Sequence, residues 1–196
     1  MRYISKEEVQ TFCPKNRADW RQWLEENHQE KSAVWLVYYK VSAKVASISW
    51  REAVDEALCF GWIDSTRKTM DDERFVQYFS RRNPNSTWSR VNKEKVAELI
   101  EANLMTKAGF DSIAIAQQNG SWSMLDDVEA LVVPADLKEA LSNYEGATGY
   151  FDSLSRSNKK MLLYWVVSAK RAETRQKRIK EIAECAGKNL KPNQFR

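Results

Sequence analysis

The C-terminal part of the chain concentrates basic side chains that would bind an anion. From Ser155 to Arg196 there are twelve Lys and Arg against three Glu, a net charge of +9. The remainder has nineteen basic and twenty-four acidic residues, a net charge of −5. This imbalance predicts an anionic partner for the basic part, or docking of that part on the acidic surface of the same chain.

Arg175 lies on the apolar stripe of the last predicted helix, between Ala172 and Ile179. An arginine on an inward face requires an anionic partner, because an unpaired buried charge is costly. One interpretation is an anion pocket formed by the neighbouring residues Lys170, Thr174, Arg175 and Arg178. The preferred interpretation is an internal ion pair of Arg175 with Asp64 or Glu56. Arg175→Ala would then destabilise the fold by about 3 kcal/mol or more.

Trp62 and Asp64 start a predicted strand after Gly61, and both side chains leave the same face of it. A carboxylate beside an indole is a candidate general acid or base, or an anchor for a ligand hydroxyl or amine. The alternative is that Asp64 caps a turn or pairs with an arginine. No His, Cys or Lys nucleophile stands close to Asp64 in sequence, so the catalytic role is the less favoured one.

Arg81, Arg82 and Trp88 surround a predicted helix start at Ser86 or Thr87. The N-terminus of a helix offers unpaired N–H groups and a positive dipole end, so phosphate binding or base stacking is a reasonable function there. The alternative is that Ser86 or Thr87 satisfies those N–H groups and that Trp88 belongs to the core.

Metal and thiol chemistry are not expected. Cys13, Cys59 and Cys185 are odd in number and far apart, which argues against a disulfide framework. Cys59 lies in an apolar run at a helix C-terminus, where a thiol is expected to be inert. His28 is the only histidine and is expected on the surface, so no zinc site is predicted. No nucleotide or hydrolase motif is present, and no cofactor is expected.

The elements that would position these residues indicate an α+β fold, with a small antiparallel or mixed sheet and helices followed by an all-helical C-terminal module. The predicted strands span residues 34–40, 62–69 and 74–82. The predicted helices before the helical module span residues 16–28, 50–60, 86–103 and 106–118. Those of the module span residues 135–142, 145–154, 157–170 and onward to 186. This pattern predicts a body at 1–125, a connector at 126–135 and a helical module at 136–196.

The overall composition is that of an ordinary globular protein. The chain has 196 residues, 43% apolar residues and a formal net charge of +4. No apolar run approaches the roughly 18 residues of a membrane span, and the first twelve residues have no apolar stretch typical of a secretory signal. We therefore expect a cytoplasmic protein.

Four stretches together resemble the YdeI/OmpD-associated, bacteriocin-protection (OmdA-type) family. They are ALCFGWIDS at 57–65, FSRRNPNSTWSRVNK at 79–93, VPADLKEAL at 133–141 and AKRAETRQKRIKEI at 169–182. The resemblance implies a helical module behind an α+β part and a link to envelope stress, through bacteriocin or antimicrobial-peptide resistance and porin association. It implies no agreed reaction. The chain departs from the family at Ser80, where proline is usual, and lacks the export signal of members described as periplasmic.

These observations favour a non-enzymatic binding or stress-protection protein. The expected site is a groove between the body and the basic module, with contributions from Trp62, Asp64, Arg81, Arg82, Trp88, Lys170, Thr174, Arg175 and Arg178. Its partner would be an anionic small molecule, an acidic protein segment or a nucleic acid. One alternative is a small-molecule enzyme with Asp64 as general acid or base and an arginine clamp. The other is a protein adaptor with a basic docking face.

Overall fold

The computed structural model describes residues 9–195 and has the predicted α+β class. A four-stranded mixed sheet lies towards the N-terminus, and helices make up the C-terminal part. The chain forms two compact units, the first ending at Trp122 and the second beginning at Ser123. The boundaries of the predicted connector at 126–135 stay a prediction, and each unit is described by itself below.

The first unit combines the sheet with four helices among the described residues. Its strands are β1 (Thr11–Phe12), β2 (Ala33–Tyr39), β3 (Trp62–Thr69) and β4 (Arg74–Arg81). Its α-helices are α1 (Arg17–Asn27), α2 (Trp50–Cys59), α3 (Arg90–Glu101) and α4 (Lys107–Gln118). The strand order is β1-β2-β4-β3, with β1 parallel to β2 and the other two pairs antiparallel.

One face of the sheet forms the main core of this unit together with α1 and α2. Val34 and Leu36 alternate inward along β2, and Phe79 pairs with Val34 across the β2–β4 ladder. Trp20 of α1 is completely buried, and its indole N–H donates to the carbonyl oxygen of Ala53 in α2 at 3.0 Å. This hydrogen bond satisfies the polar atom of a large buried ring, as such rings require.

Glu56 is a buried carboxylate between two arginines of α1. It is 2% exposed, and its oxygens accept from Arg17 Nε at 2.5 Å and from Arg21 Nη1 at 2.7 Å. Two partners compensate the loss of water around the carboxylate. The ion pair of Glu56 therefore lies within the first unit, and Arg175 does not take part in it.

The helix starts follow the capping residues. Ser49 and Glu52 form the predicted capping box of α2, with both reciprocal hydrogen bonds present. The start of α3 differs from the prediction, because Ser89 is its N-cap and accepts from the N–H of Asn92 at 3.2 Å. The hydroxyl of Ser86 instead donates to the carbonyl oxygen of Asn83, so residues 83–86 form a turn before the helix.

The second unit is helical throughout its described part. Its α-helices are α5 (Asp126–Glu129), α6 (Ala135–Ser142), α7 (Ala147–Ser153), α8 (Arg156–Val167) and α9 (Ala172–Ala186). Apolar residues such as Leu137, Phe151, Leu163 and Ile182 form a separate core, in which α9 packs against α6, α7 and α8. None of the helices within residues 9–195 has the length and hydrophobicity of a membrane-spanning segment.

Candidate functional site

A cavity of about 680 Å³ opens in the first unit where four segments meet. These segments are the residues at the C-terminal end of α1, the turn between α2 and β3, the end of β4 with the residues after it, and the first three turns of α4. A volume of this size is typical of small-molecule sites. The cavity is therefore the candidate ligand site of the first unit.

Two glycines allow the turn after α2 to lie against α4. A Cβ atom on Gly61 would lie 2.9 Å from the carbonyl oxygen of Ala108, and one on Gly109 would lie 2.4 Å from that of Cys59. Gly61 also has a φ of +69°, a left-handed conformation that favours glycine. The backbone N–H and the hydroxyl of Thr106 both donate to the Cys59 carbonyl, at 3.1 and 2.7 Å. These contacts hold the start of α4 at the cavity wall.

Arg82 is the most unusual side chain in the wall of the cavity. Its guanidinium carbon lies 3.6 Å from the centroid of the buried Trp88 ring, and its Nη2 donates to the carbonyl oxygen of Thr87 at 2.7 Å. Its Nε and Nη1 atoms are buried and have no hydrogen-bond partner among the described residues. Burial lowers the pKa of Arg82 to about 10, against the opposing charge of Asp64. An anion that accepted from Arg82 would relieve this loss of hydration.

Further basic groups line the same cavity. Arg81 is exposed, and its side-chain Nε donates to the carbonyl oxygen of Lys31 at 2.8 Å. Lys107 begins α4 and donates to both carboxylate oxygens of Asp111, at 2.9 and 2.7 Å. Thr106, the N-cap of α4, makes no side-chain capping bond because its hydroxyl is engaged with Cys59. The arrangement presents positive charge and helix N-terminal donors together.

Apolar and aromatic residues complete the wall. The ring of His28 lies 5.2 Å from that of Phe60, and its Nδ1 is 2.8 Å from the carbonyl oxygen of Leu24. Ile115 of α4 also lines the cavity and is 42% exposed. The cavity thus offers contacts for an apolar group as well as for a charge.

Of the five sequence-predicted site residues in the first unit, Arg81 and Arg82 line the cavity and the other three do not. Trp62 is completely buried against Trp23, in an edge-to-face contact. Asp64 Oδ2 accepts from Trp50 Nε1 at 2.9 Å and from Gln77 Nε2 at 3.0 Å, which links α2 to the sheet. Trp88 is a core residue that supports Arg82 from behind.

The two arginines of the second unit that were predicted as site residues both have hydrogen-bond partners within that unit. Arg175 forms a bidentate ion pair with Asp136 of α6: its Nε donates to Oδ2 at 2.7 Å and its Nη2 to Oδ1 at 2.9 Å. The predicted partners, Asp64 and Glu56, do not take part in this pair. The expected pairing of Arg175 with a carboxylate is confirmed, but its side chain is 31% exposed and so only partly buried. Arg178 donates to the carbonyl oxygen of Trp165 at the end of α8, where a cation is favourable. Lys170 is exposed and Thr174 is half-buried in the same unit.

Sequence reasoning missed His28, Phe60, Thr106, Lys107 and Ile115. His28 was expected to be only a surface residue, and the helix N-terminus expected to bind an anion was that of α3. Ser89 satisfies a donor of α3, whereas the first turn of α4 receives no side-chain cap. The signal in sequence was the Thr-Lys-Ala-Gly start of α4, but nothing local connects it to Arg82.

In the part of the chain that the structure describes, no group of three or more His, Cys, Asp or Glu residues could hold a metal ion. Burial raises the pKa of the Cys59 thiol to about 11, which leaves it protonated near neutrality. The residues that line the cavity offer hydrogen-bond donors, charged groups and apolar side chains.

Comparison with known families divides the chain in two. Residues 130–189 match the family described as bacteriocin-protection, YdeI or OmpD-associated, and this segment contains the VPADLKEAL and AKRAETRQKRIKEI motifs. Residues 12–112 match a domain of unknown function, DUF8412, which contains the other two motifs. No curated protein and no solved structure matches the chain. Because the match at 12–112 covers more than half of the 196 residues, the chain belongs to the family of the domain of unknown function DUF8412, and its residues 130–189 are similar to the bacteriocin-protection family.

Proposed function

We propose that this chain is a binding protein of the bacteriocin-protection type and that its first unit holds a small anion in the cavity beside Arg82. The family match at residues 130–189 supports the protection role, and the cavity supports the binding role. The ligand contacts Arg82, Arg81 and the first turn of α4. Binding of this kind requires no chemical step from the protein.

The observation that carries the proposal is the guanidinium group of Arg82. Two of its nitrogens are buried without a partner among the described residues, at the wall of a cavity that also presents Arg81 and the Lys107–Asp111 ion pair. A buried donor without an acceptor costs about 1–3 kcal/mol, and more when the group is charged. A planar guanidinium matches two oxygens of a carboxylate or phosphate. Such an anion would recover this free energy when Arg82 turns Nε and Nη1, which are closed to solvent in this structure, towards the cavity.

The test is a titration of phosphate, sulfate and acetate into the full chain at low ionic strength. Calorimetry measures the dissociation constant, and tryptophan fluorescence is expected to change because Trp88 contacts Arg82. Arg82→Lys keeps the charge but removes the planar fork, and we expect it to weaken phosphate binding about tenfold or more. Arg81→Ala is expected to weaken it by a similar factor.

Arg90→Ala is the matched control. Arg90 is an arginine of α3 with 69% side-chain exposure, it pairs with Glu94, and it does not line the cavity. We expect this variant to bind phosphate as the wild type does. Circular dichroism melts identify any variant that loses its fold. The proposal is wrong if no anion binds at millimolar concentration, or if a folded Arg82→Lys variant keeps the wild-type affinity.

A further inference from the structure

We infer that the ligand of this cavity is an organic anion with a single charged head, a phosphate or carboxylate, on an apolar ring. This inference rests on the proposed anion site and names the class of molecule that the site takes. It is carried by three properties of the first unit: the mixed character of the cavity wall, the spacing along α4 and the charge of the unit as a whole.

The mixed character of the wall provides a place for the ring. Ile115 is a large aliphatic side chain that lines the cavity and is 42% exposed, and Phe60 and Pro84 line it as well. An inorganic anion would leave the exposed surface of Ile115 in water. A ring placed there would remove apolar surface from water on both sides of the contact.

The spacing along α4 sets the size of the ligand. Ala108, in the first turn of α4, and Ile115 both line the cavity and are seven residues apart. A rise of 1.5 Å per residue places them about 10 Å apart along the helix axis. A molecule that reaches from the donors at the start of α4 to Ile115 is therefore the size of an aryl phosphate or larger. It fits a cavity of about 680 Å³.

The charge of the first unit limits the ligand to one head. Residues 1–122 contain eighteen Lys and Arg and seventeen Asp and Glu, a net charge of +1. Within the cavity, Asp111 neutralises Lys107 and would repel a second anionic group. A polyanion such as a nucleic acid needs an extended basic surface, because its affinity comes from many phosphate contacts. The nearly neutral first unit favours a small monoanionic or dianionic head instead.

The experiment compares probes that differ only by a ring. Phenyl phosphate is titrated against inorganic phosphate, and benzoate against acetate, so that the two pairs distinguish a phosphate head from a carboxylate head. In at least one pair we expect the ring to tighten binding about tenfold or more. A tenfold lower dissociation constant corresponds to about 55 Å² of apolar surface removed from water. A ten-nucleotide oligothymidylate serves as the polyanion.

Ile115→Ser removes the exposed apolar side chain without touching a charged group. We expect it to reduce the preference for the ring to about threefold or less, with the affinity for inorganic phosphate unchanged. Phe110→Ser is the matched control, since Phe110 is also on α4, is 46% exposed and does not line the cavity. It is expected to retain the full preference for the ring.

Each outcome supports or overturns the inference. Tighter binding of a ring-bearing probe by wild type, lost in Ile115→Ser, supports it. Binding of phosphate or acetate with no gain from the ring in either pair overturns it and leaves the anion site intact. Binding of none of the probes overturns both. Tighter binding of the oligothymidylate than of phenyl phosphate, with a steep salt dependence, overturns it in favour of a nucleic-acid site.

Discussion

Arg82 and Arg175 are both partly buried arginines, but their guanidinium groups have different surroundings. Arg175 meets both oxygens of Asp136 and is satisfied within its own unit. Arg82 packs on an indole, and two of its nitrogens have no acceptor among the described residues. The first contact links α9 to α6. The second leaves two buried donors without an acceptor, and the proposed anion site rests on these donors. The role of each arginine therefore follows from its partners.

The Asp136–Arg175 pair makes stability depend on acid pH. The hydrogen bond from Arg175 holds the pKa of the Asp136 carboxyl below its usual range. The pair therefore stabilises the fold above about pH 4, where the carboxyl is ionised in both states, and this contribution is lost as pH falls through the lower folded pKa. Because Asp136 is 48% exposed, the contribution at pH 7 is at most about 1 kcal/mol.

Urea unfolding of Asp136→Asn and Arg175→Ala measures this contribution. Each variant is expected to lose no more than about 1 kcal/mol at pH 7, well below the 3 kcal/mol expected for a deeply buried pair. At pH 3 the difference between Asp136→Asn and wild type is expected to shrink. A difference that is equal at both pH values would show that the side chain stabilises the fold by something other than its charge.

At the scale of elements, the packing of α4 against the turn after α2 shapes the cavity. Gly109 lies inside α4, where glycine lowers helix stability by about 1 kcal/mol relative to alanine. Its place is explained by the Cys59 carbonyl oxygen, which a Cβ atom would approach to 2.4 Å. Gly109 therefore lowers the helix propensity of α4 but allows α4 to pack closely against the turn after α2. This packing positions Thr106 and Lys107.

Gly109→Ala tests this relation. We expect it to lower the free energy of unfolding by about 1–3 kcal/mol, because a methyl group forced against backbone outweighs the gain in propensity. It is also expected to weaken phosphate binding, since the start of α4 must move. Gly149→Ala in α7 is the control, because nothing lies within 4 Å of the added Cβ. Chemical denaturation of this control should give unchanged or higher stability, and equal losses in the two variants would contradict the packing argument.

At the scale of the whole molecule, the charge imbalance along the sequence does not coincide with the two units. The basic stretch from Ser155 belongs to a unit that also contains acidic residues such as Asp126, Asp127 and Asp136. Residues 123–196 carry thirteen basic and ten acidic residues, a net charge of +3. Part of the basic character is therefore neutralised within the unit, as the Asp136–Arg175 and Glu129–Lys160 pairs illustrate.

The separate cores predict that the two units fold independently. Fragments 1–122 and 123–196 are each expected to give a cooperative urea transition by circular dichroism. Fragment 1–122 is expected to bind phosphate as tightly as the full chain does, because every residue that lines the cavity lies within it. A cooperatively folded fragment 1–122 that bound phosphate at least tenfold more weakly would show that the site needs residues of the second unit.

The sequence by itself determined the fold class and most elements, although β1 and α5 were not predicted. The structure contains the predicted capping box at Ser49 and Glu52. It also contains the strand pair predicted at 62–69 and 74–82 and the helices predicted at 106–118 and 135–142, each to within a residue. Their signals act between residues a few positions apart, through hydrogen bonds at helix ends and the alternation or helical spacing of apolar side chains. The α3 start was misplaced because several adjacent hydroxyl residues could act as its cap.

Only the tertiary structure decided which of the candidate residues share a site. His28, Arg82 and Lys107 lie far apart in sequence and meet because α1, β4 and α4 converge on the turn at Gly61. Likewise, the partner of Arg175 was one of many carboxylates, and the packing of α9 on α6 selected Asp136. Local patterns carry no information on such distances, because a cavity or an ion pair depends on how surfaces from different elements pack, and this depends on the whole core at once.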